Sequence, residues 1–218
     1  MSTISISRTT KGLIFLTVLC SIFITARIIL KDDLKYSFLL WNLFLAWIPL
    51  LLAQLSHRAM VQRQLPLAYS CLILWLLFFP NAPYIITDLL HLKDYSQNIL
   101  WFDSLLIFTF AITGLLIGLV SLNTVHQSLE IGFGKIQSWG MIVGSLVLLG
   151  FGIYLGRYCR LNSWDLFSEP TWFVGRVMHQ FKNPMAFKLT FTYAFVILGF
   201  YVAYRNFGPI QNAEVKHL

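Results

Sequence analysis

Charged residues are scarce in this chain, and that scarcity excludes the soluble classes of protein. Only 11% of the 218 residues are charged and 57% are hydrophobic, whereas soluble domains average about 25% charged and about 45–50% apolar residues. The basic residues flank apolar runs and form no dense block, although the formal net charge is +7. This pattern is typical of residues that face anionic lipid headgroups. We therefore predict an integral membrane protein whose partner is the lipid bilayer, with no nucleic-acid partner.

Cysteines and known catalytic motifs are also few or missing. The three cysteines, Cys20, Cys71 and Cys159, form no CxxC pair and no cluster with histidine, so neither a disulfide framework nor a structural zinc site is predicted. HExxH, GxSxG, P-loop and Rossmann patterns do not occur. The sequence therefore indicates no known enzyme class and leaves any cofactor unknown.

What the chain does contain is a series of long apolar runs. A membrane span needs about 20 mostly apolar residues, and its backbone must satisfy its own hydrogen bonds. Because two-residue alternation is absent, the runs predict helices, and the first is expected to remain as an uncleaved span. We predict an all-α, polytopic membrane protein with about six transmembrane helices in one domain, 1–218. The predicted spans are 12–30, 36–55, 64–79, 104–122, 139–156 and 186–204, with an amphipathic segment at 83–95 and a polar loop at 157–185.

The third run is interrupted by two prolines. Pro80 removes a backbone donor and disfavours helix at Phe79, whereas Pro83 suits the first turn of a new helix that Asn81 would cap. At α-helical spacing the new segment aligns four polar or aromatic residues on one stripe, and apolar residues cover the remainder. We expect this segment to lie along the interface or to re-enter the membrane. The stripe consists of Tyr84, Asp88, His91 and Tyr95.

Most acidic residues fall on one side of the predicted membrane. With six spans, the connections 1–2, 3–4 and 5–6 share a side and carry seven of the nine acids. The Lys and Arg counts are seven on the side of the termini and nine on the other, so the positive-inside rule by itself slightly favours a cytoplasmic location for the acidic side. Several of those nine are expected to pair with acids, which reduces their weight in this comparison. We therefore expect both termini to be cytoplasmic. The seven acids are Asp32, Asp33, Asp88, Asp94, Asp103, Asp165 and Glu169.

Four of the polar residues on this face are candidate catalytic groups: Asp88, His91, Asp103 and Asp165. Carboxylates with an imidazole suit acid–base chemistry, and Asp88 with His91 could hold a divalent metal, although no metal is expected. The alternative is structural, because ion pairs also gather charged residues. In that case Asp88, Asp103 and Asp165 would pair with basic residues and fix the loops. The expected partners are Arg157, Arg160 and Lys93.

A second polar stretch, "GRYCRLNSWD" at 156–165, follows the fifth span. Arg157 and Arg160 could grip a phosphate or carboxylate in a bidentate manner. The alternative is that both arginines extend to the membrane edge while the Asn-Ser turn caps a short helix that starts near Trp164. The predicted binding residues are Asn81, Tyr84, Arg157, Arg160 and Asn162.

Other features are expected to be structural. His126 and Glu130 share a helical face with few polar neighbours in sequence, so a solvated helix end is expected. Glycines spaced four and eight residues apart predict close helix contacts on the fourth and fifth spans, and the fifth helix is expected to be buried. These glycines are Gly114, Gly118, Gly140, Gly144, Gly152 and Gly156.

Three segments together resemble a known family. "PNAPYIITDLLHL" at 80–92, "WFDS" at 101–104 and "GRYCRLNSWD" at 156–165 are similar to the bacterial integral membrane family called domain of unknown function 1361. The resemblance implies a multi-span protein of the bacterial inner membrane. It implies no activity.

Three functions remain open at this point. The first is an accessory or structural envelope protein whose polar face docks an anionic lipid or a membrane protein partner. The second is a membrane-embedded enzyme that acts on a lipid or anionic headgroup. The third is a small transporter, which the broken third span favours and the lack of an inverted repeat opposes.

Overall fold

Helices make up almost all of the structure, a computed structural model that describes residues 8–94 and 99–207, and the side chains of 8–89 and 99–207. Within these residues no strand occurs. The predicted all-α class is therefore confirmed. The helices are α1 (Arg8–Lys31), α2 (Phe38–Val61), α3 (Leu65–Phe78), α4 (Asn81–Tyr84), a 3₁₀ helix (Ile85–Asp94), α5 (Leu100–Phe133), α6 (Lys135–Tyr158), α7 (Asp165–Ser168), α8 (Pro170–Gln180) and α9 (Pro184–Phe207).

The prediction of six spans is also confirmed. Within residues 8–94 and 99–207, six segments are long and apolar enough to cross a membrane: α1, α2, α5, α6, α9 and the stretch Leu65–Leu89 that includes the break. Most extend a few residues beyond the predicted spans. The largest excess is in α5, whose 34 residues correspond to about 50 Å of helix against about 30 Å of hydrocarbon. Its last turns therefore extend past the predicted end at 122.

The described chain packs as two compact units. The first comprises the residues up to Trp47 together with Asn81–Gly118. In this unit Trp47 Nε1 donates to Thr17 Oγ1 at 3.2 Å and joins α2 to α1. Cys20 Sγ lies 3.4 Å from Thr113 Oγ1 and joins α1 to α5. Small polar side chains thus help to join α1 to α2 and to α5.

The second unit comprises Ile48–Pro80 and the chain from Leu119 onward. Here α6 and α9 pack so closely that a Cβ added at Gly150 would meet the backbone oxygen of Thr190. Trp75 Nε1 donates to Ser121 Oγ at 2.8 Å, which joins α3 to α5. Gly150, which is not one of the predicted contact glycines, therefore gives the close backbone approach at this helix crossing.

The break in the third element lies where the prolines predict it. The last α-helical bond of α3 runs from the Phe79 amide to the Trp75 oxygen at 2.7 Å, and Pro80 lies in the turn that follows. The new helix begins at Asn81, two residues before the predicted start, so Asn81 is its first residue and not its cap. After one α-helical turn the backbone tightens into the 3₁₀ helix.

The tighter helix changes which residues share a face. A 3₁₀ helix repeats every three residues, so Asp88 lies in register with Ile85 and not with Tyr84. The predicted stripe assumed α-helical spacing, and its alignment of Tyr84 with Asp88 is therefore wrong. The His91 side chain and Tyr95 lie outside the described residues.

Glycines allow the two sides of the break to pack closely within their own units. A Cβ at Gly152 would lie 2.5 Å from the Pro80 ring, and a Cβ at Gly114 would lie 2.5 Å from the Ala82 backbone oxygen. Gly140 and Gly144 have open space around them. The predicted contact stripe on α6 is thus wrong over its first half, where the face of the helix that carries these two glycines is exposed.

Candidate functional site

A buried ion pair is the central polar feature of the first unit. Arg27, in the last turns of α1, donates from Nε to Asp103 Oδ1 at 2.6 Å. Both residues are buried, with exposed fractions of 4% and 1%. Asp103 lies in the first turn of α5, where the helix dipole also favours a negative charge. Asp103 was a predicted site residue, but its partner is Arg27, which the sequence pattern did not indicate for it.

Two further residues complete this group. Tyr36 donates its hydroxyl to Asp103 Oδ2 at 3.2 Å, and the Arg27 guanidinium lies 5.3 Å from the centre of the Tyr36 ring. Asp33, half-exposed, accepts from Arg27 Nη1 at 3.4 Å. A hydrogen bond from the Lys35 backbone amide, together with the Arg27 charge, holds the pKa of Asp33 below its ordinary value. We call Arg27, Asp33, Tyr36 and Asp103 the Arg27 cluster.

Asp88 is buried in the same unit and accepts a hydrogen bond. Asn42 Nδ2, on α2, donates to Asp88 Oδ2 at 3.0 Å, and the carboxylate is 1% exposed. Beside it, the Thr87 hydroxyl donates to the backbone oxygen of Tyr84 at 2.7 Å. The Asp88 carboxylate therefore links the 3₁₀ helix to α2.

The described residues offer no metal centre. Within them, no three His, Cys, Asp or Glu side chains come together in a group that could hold a metal ion. A site made of Asp88 and His91 stays a prediction, because the His91 side chain is outside the described residues.

The "NSWD" residues form a local turn in the second unit. The Asn162 backbone amide donates to Asp165 Oδ2 at 2.7 Å, and α7 begins at Asp165, next to the predicted start at Trp164. No side chain caps this helix, so the predicted Asn-Ser cap is wrong. Ser163 Oγ donates to the Leu77 backbone oxygen at 3.0 Å. This oxygen lies in the last turn of α3, where the break leaves carbonyls without helical donors. The NSWD turn thus packs against the C-terminal end of α3.

The remaining predicted binding residues are divided between the units. Asn81 and Tyr84, both half-buried, belong to α4 in the first unit. In the second unit Arg157 lies in the last turn of α6, and the exposed Arg160 has a positive φ of 55°. Asp88 and Asp103 lie in the first unit and Asp165 lies in the second.

A second polar group, absent from the predicted site, lies in the second unit around His126. The His126 Nδ1 atom is 2.7 Å from the Tyr201 hydroxyl and 2.6 Å from Arg205 Nη1, and both groups can donate to it. The other ring nitrogen, Nε2, lies 3.4 Å from Glu130 Oε1 and 3.2 Å from Arg205 Nη1. Because the Arg205 guanidinium can only donate, a ring nitrogen beside it must accept, and this geometry indicates a neutral imidazole. We call His126, Glu130, Trp139, Tyr201 and Arg205 the His126 cluster.

Aromatic rings surround this cluster. Trp139 meets the His126 ring edge-on at 4.7 Å, and the Arg205 guanidinium lies 5.4 Å from the centre of the Trp139 ring. His126 is completely buried, so the expectation of a solvated helix end is wrong for it. The apolar residues Leu122, Val125 and Leu129, spaced along the same helix, were the available signal that the buried face continues past 122.

The comparisons with known proteins identify a family and no described activity. The family model for "Protein of unknown function (DUF1361)" matches residues 41–200, which include both sequence motifs. Neither the curated proteins nor the solved structures contain a match. Since the match covers most of the chain, this protein is a member of the DUF1361 family.

Proposed function

We propose that this protein is an accessory or structural membrane protein whose buried carboxylates fix its helices. The observation that carries the proposal is the bonding of Asp103. One of its carboxylate oxygens accepts from Arg27 and the other from Tyr36, so both oxygens are occupied by the protein's own donors.

The other two carboxylates support the same conclusion. Asp88 accepts from Asn42 on α2, and Asp165 accepts from the Asn162 amide in a local turn. A general acid or base must reach a substrate proton, whereas the described bonds of these residues all join parts of the chain to one another. The structural hypothesis therefore explains each contact without a substrate.

Two conservative variants separate this role from an enzyme that acts on a lipid or anionic headgroup. Asp88→Asn retains an oxygen that can accept from Asn42 but removes the carboxylate. Asp103→Asn leaves the buried Arg27 with only the half-exposed Asp33, at 3.4 Å, as a counter-charge, which is destabilising. Each variant would be expressed in a deletion strain, and the lipid and envelope-glycan profile would be compared with the amount of folded protein.

The structural role predicts that Asp88→Asn accumulates and restores the wild-type profile, and that Asp103→Asn loses both protein and function. If Asp88 were catalytic in an enzyme, Asp88→Asn would accumulate normally, but the lipid and envelope-glycan profile would remain that of the deletion strain. That result would contradict the proposal.

The proposal includes an inner-membrane location in bacteria with both termini in the cytoplasm. Six spans put the connections that contain residues 95 and 170 on the side opposite the termini. Reporter fusions at these two positions are therefore expected to give periplasmic signals. Cytoplasmic signals at both positions would reverse the orientation without affecting the structural role of Asp103.

A further inference from the structure

The helix α8 leaves an apolar flank exposed beside a basic one. Its inner side packs on the bundle: Phe173 and Val177 contact the buried cluster of Tyr154, Leu155, Leu161 and Ala186. Gln180, one helical turn further on, accepts from the Tyr154 hydroxyl at 2.8 Å. The orientation of α8 about its own axis is therefore fixed.

The apolar side of α8 is wider than the part of it that packs on the bundle. At 100° per residue, Val174 and Met178 lie next to Phe173 and Val177 on one flank. They are 51% and 61% exposed. The opposite flank carries Trp172, Arg176 and His179, with the Arg176 guanidinium 5.6 Å from the centre of the Trp172 ring.

The position of α8 in the chain places it at a membrane surface. It lies in the connection between two spans, α6, which ends at Tyr158, and α9, which begins only four residues after Gln180. Its contacts with Tyr154 and Ala186 keep it at the ends of these two spans.

The charge of this region matches an anionic leaflet. The stretch 170–188 contains Arg176, Lys182 and Lys188 and no acidic residue. An amphipathic helix with a basic polar face lies in the interface and is attracted by anionic lipids. Trp172 is also of the residue type that prefers the headgroup level.

We propose that α8 is an interfacial helix that inserts Val174 and Met178 among acyl chains and binds anionic lipid headgroups through Arg176 and Lys182. This lipid surface is separate from the carboxylates that carry the proposed function. It also explains why a short helix with no buried residue keeps two large apolar side chains exposed next to its packed side.

The test measures the depth of single labels in the full chain, reconstituted in nanodiscs. Cys159 would be replaced by serine, while the buried Cys20 and Cys71 remain. A spin label would be attached to each of Val174→Cys, Met178→Cys, Gly175→Cys and His179→Cys. Labels at 174 and 178 are expected to collide with oxygen, which dissolves in lipid, and labels at 175 and 179 with a water-soluble nickel chelate. Equal nickel accessibility at all four positions would indicate a solvated helix and overturn the insertion.

The anionic preference has its own variant and control. Nanodiscs of phosphatidylcholine alone would be compared with nanodiscs that also contain phosphatidylglycerol, and lipid retention would be measured by native mass spectrometry. Arg176→Gln with Lys182→Gln is expected to lower phosphatidylglycerol retention by about fivefold for each charge removed. Thr171→Ala with Gly175→Ala, at exposed uncharged positions of the same helix, is the matched control and is expected to retain the wild-type level. Equal retention by the double variant and wild type would overturn headgroup binding.

Discussion

The Arg27 cluster and the His126 cluster solve the problem of a buried polar group in different ways. The first buries a full ion pair, with the side chains of Arg27 and Asp103 only 5% and 2% exposed. The second buries a neutral imidazole, and its charged residues lie at the outer side of the cluster, where the side chains of Arg205 and Glu130 are 30% and 26% exposed. Charges at the edge are partly hydrated, whereas a buried charge depends on its partner alone.

This difference predicts unequal sensitivity to mutation. Removing one member of a buried ion pair leaves an uncompensated charge, which costs about 3–5 kcal/mol. Removing a neutral hydrogen-bonding group costs about 1–3 kcal/mol, and exposed ion pairs contribute about 0–1 kcal/mol. The variants below test this order.

The largest effect is expected for the single variants Arg27→Met and Asp103→Leu. Each should lower the free energy of unfolding by about 3–5 kcal/mol. The measurement is the temperature at which the monodisperse peak of the protein in detergent is lost on heating. The double variant leaves no buried charge, so it should be more stable than either single variant. If the loss for the double variant equalled the sum of the losses for the two single variants, the two residues would not act as a pair.

The next effect is expected for His126→Leu. It leaves the buried Tyr201 hydroxyl without this acceptor, while Arg205 keeps Glu130 as a partner, at a cost of about 1–3 kcal/mol. Tyr201→Phe removes a single donor and should cost less. Because the two residues share one hydrogen bond, the double variant should cost less than the sum of the single variants. A loss for His126→Leu as large as that for Asp103→Leu would contradict the contrast between the clusters.

A small effect is expected for Glu130→Gln. Glu130 contacts Arg205 at 3.4 Å, but both side chains are partly hydrated, so the loss should be at most about 1 kcal/mol and should shrink as salt is added. The measurement is the melting temperature at low and high salt. A large loss that does not depend on salt would show that Glu130 behaves as a buried charge.

The helices and the break could be predicted from the sequence because both are local. Apolar runs define spans, and Pro80 with Pro83 three residues later favours a break, whereas the single Pro49 lies inside α2 without ending it. Asp103 was recognisable as a site residue for the same reason, since it is an acid at the start of an apolar run. Its partner was not recognisable, because Arg27 lies 76 residues away and no spacing rule connects the two.

The His126 cluster was missed for a related reason. Its members Tyr201 and Arg205 lie 75 and 79 residues from His126, and the predicted span ended before His126. The type of helix after the break also depends on packing. Asn81–Tyr84 is α-helical and Ile85–Asp94 is 3₁₀, and no residue in this stretch distinguishes the two types by propensity alone.

The smallest predicted effect concerns Asp33, the one half-exposed member of the Arg27 cluster. Its pKa is lowered by the Lys35 amide and by Arg27, so the carboxylate stabilises the fold above its ordinary pKa of 3.8. That contribution is lost as the pH falls through the lowered value. Asp33→Asn should therefore melt slightly earlier than wild type at about pH 6, and the difference should shrink as the pH falls through the lowered pKa of Asp33. Asp32→Asn, at the exposed neighbouring residue, is the control for the loss of one acidic charge in this connection. A difference for Asp33→Asn that grows on acidification would mean that the protonated acid is the form that stabilises the fold.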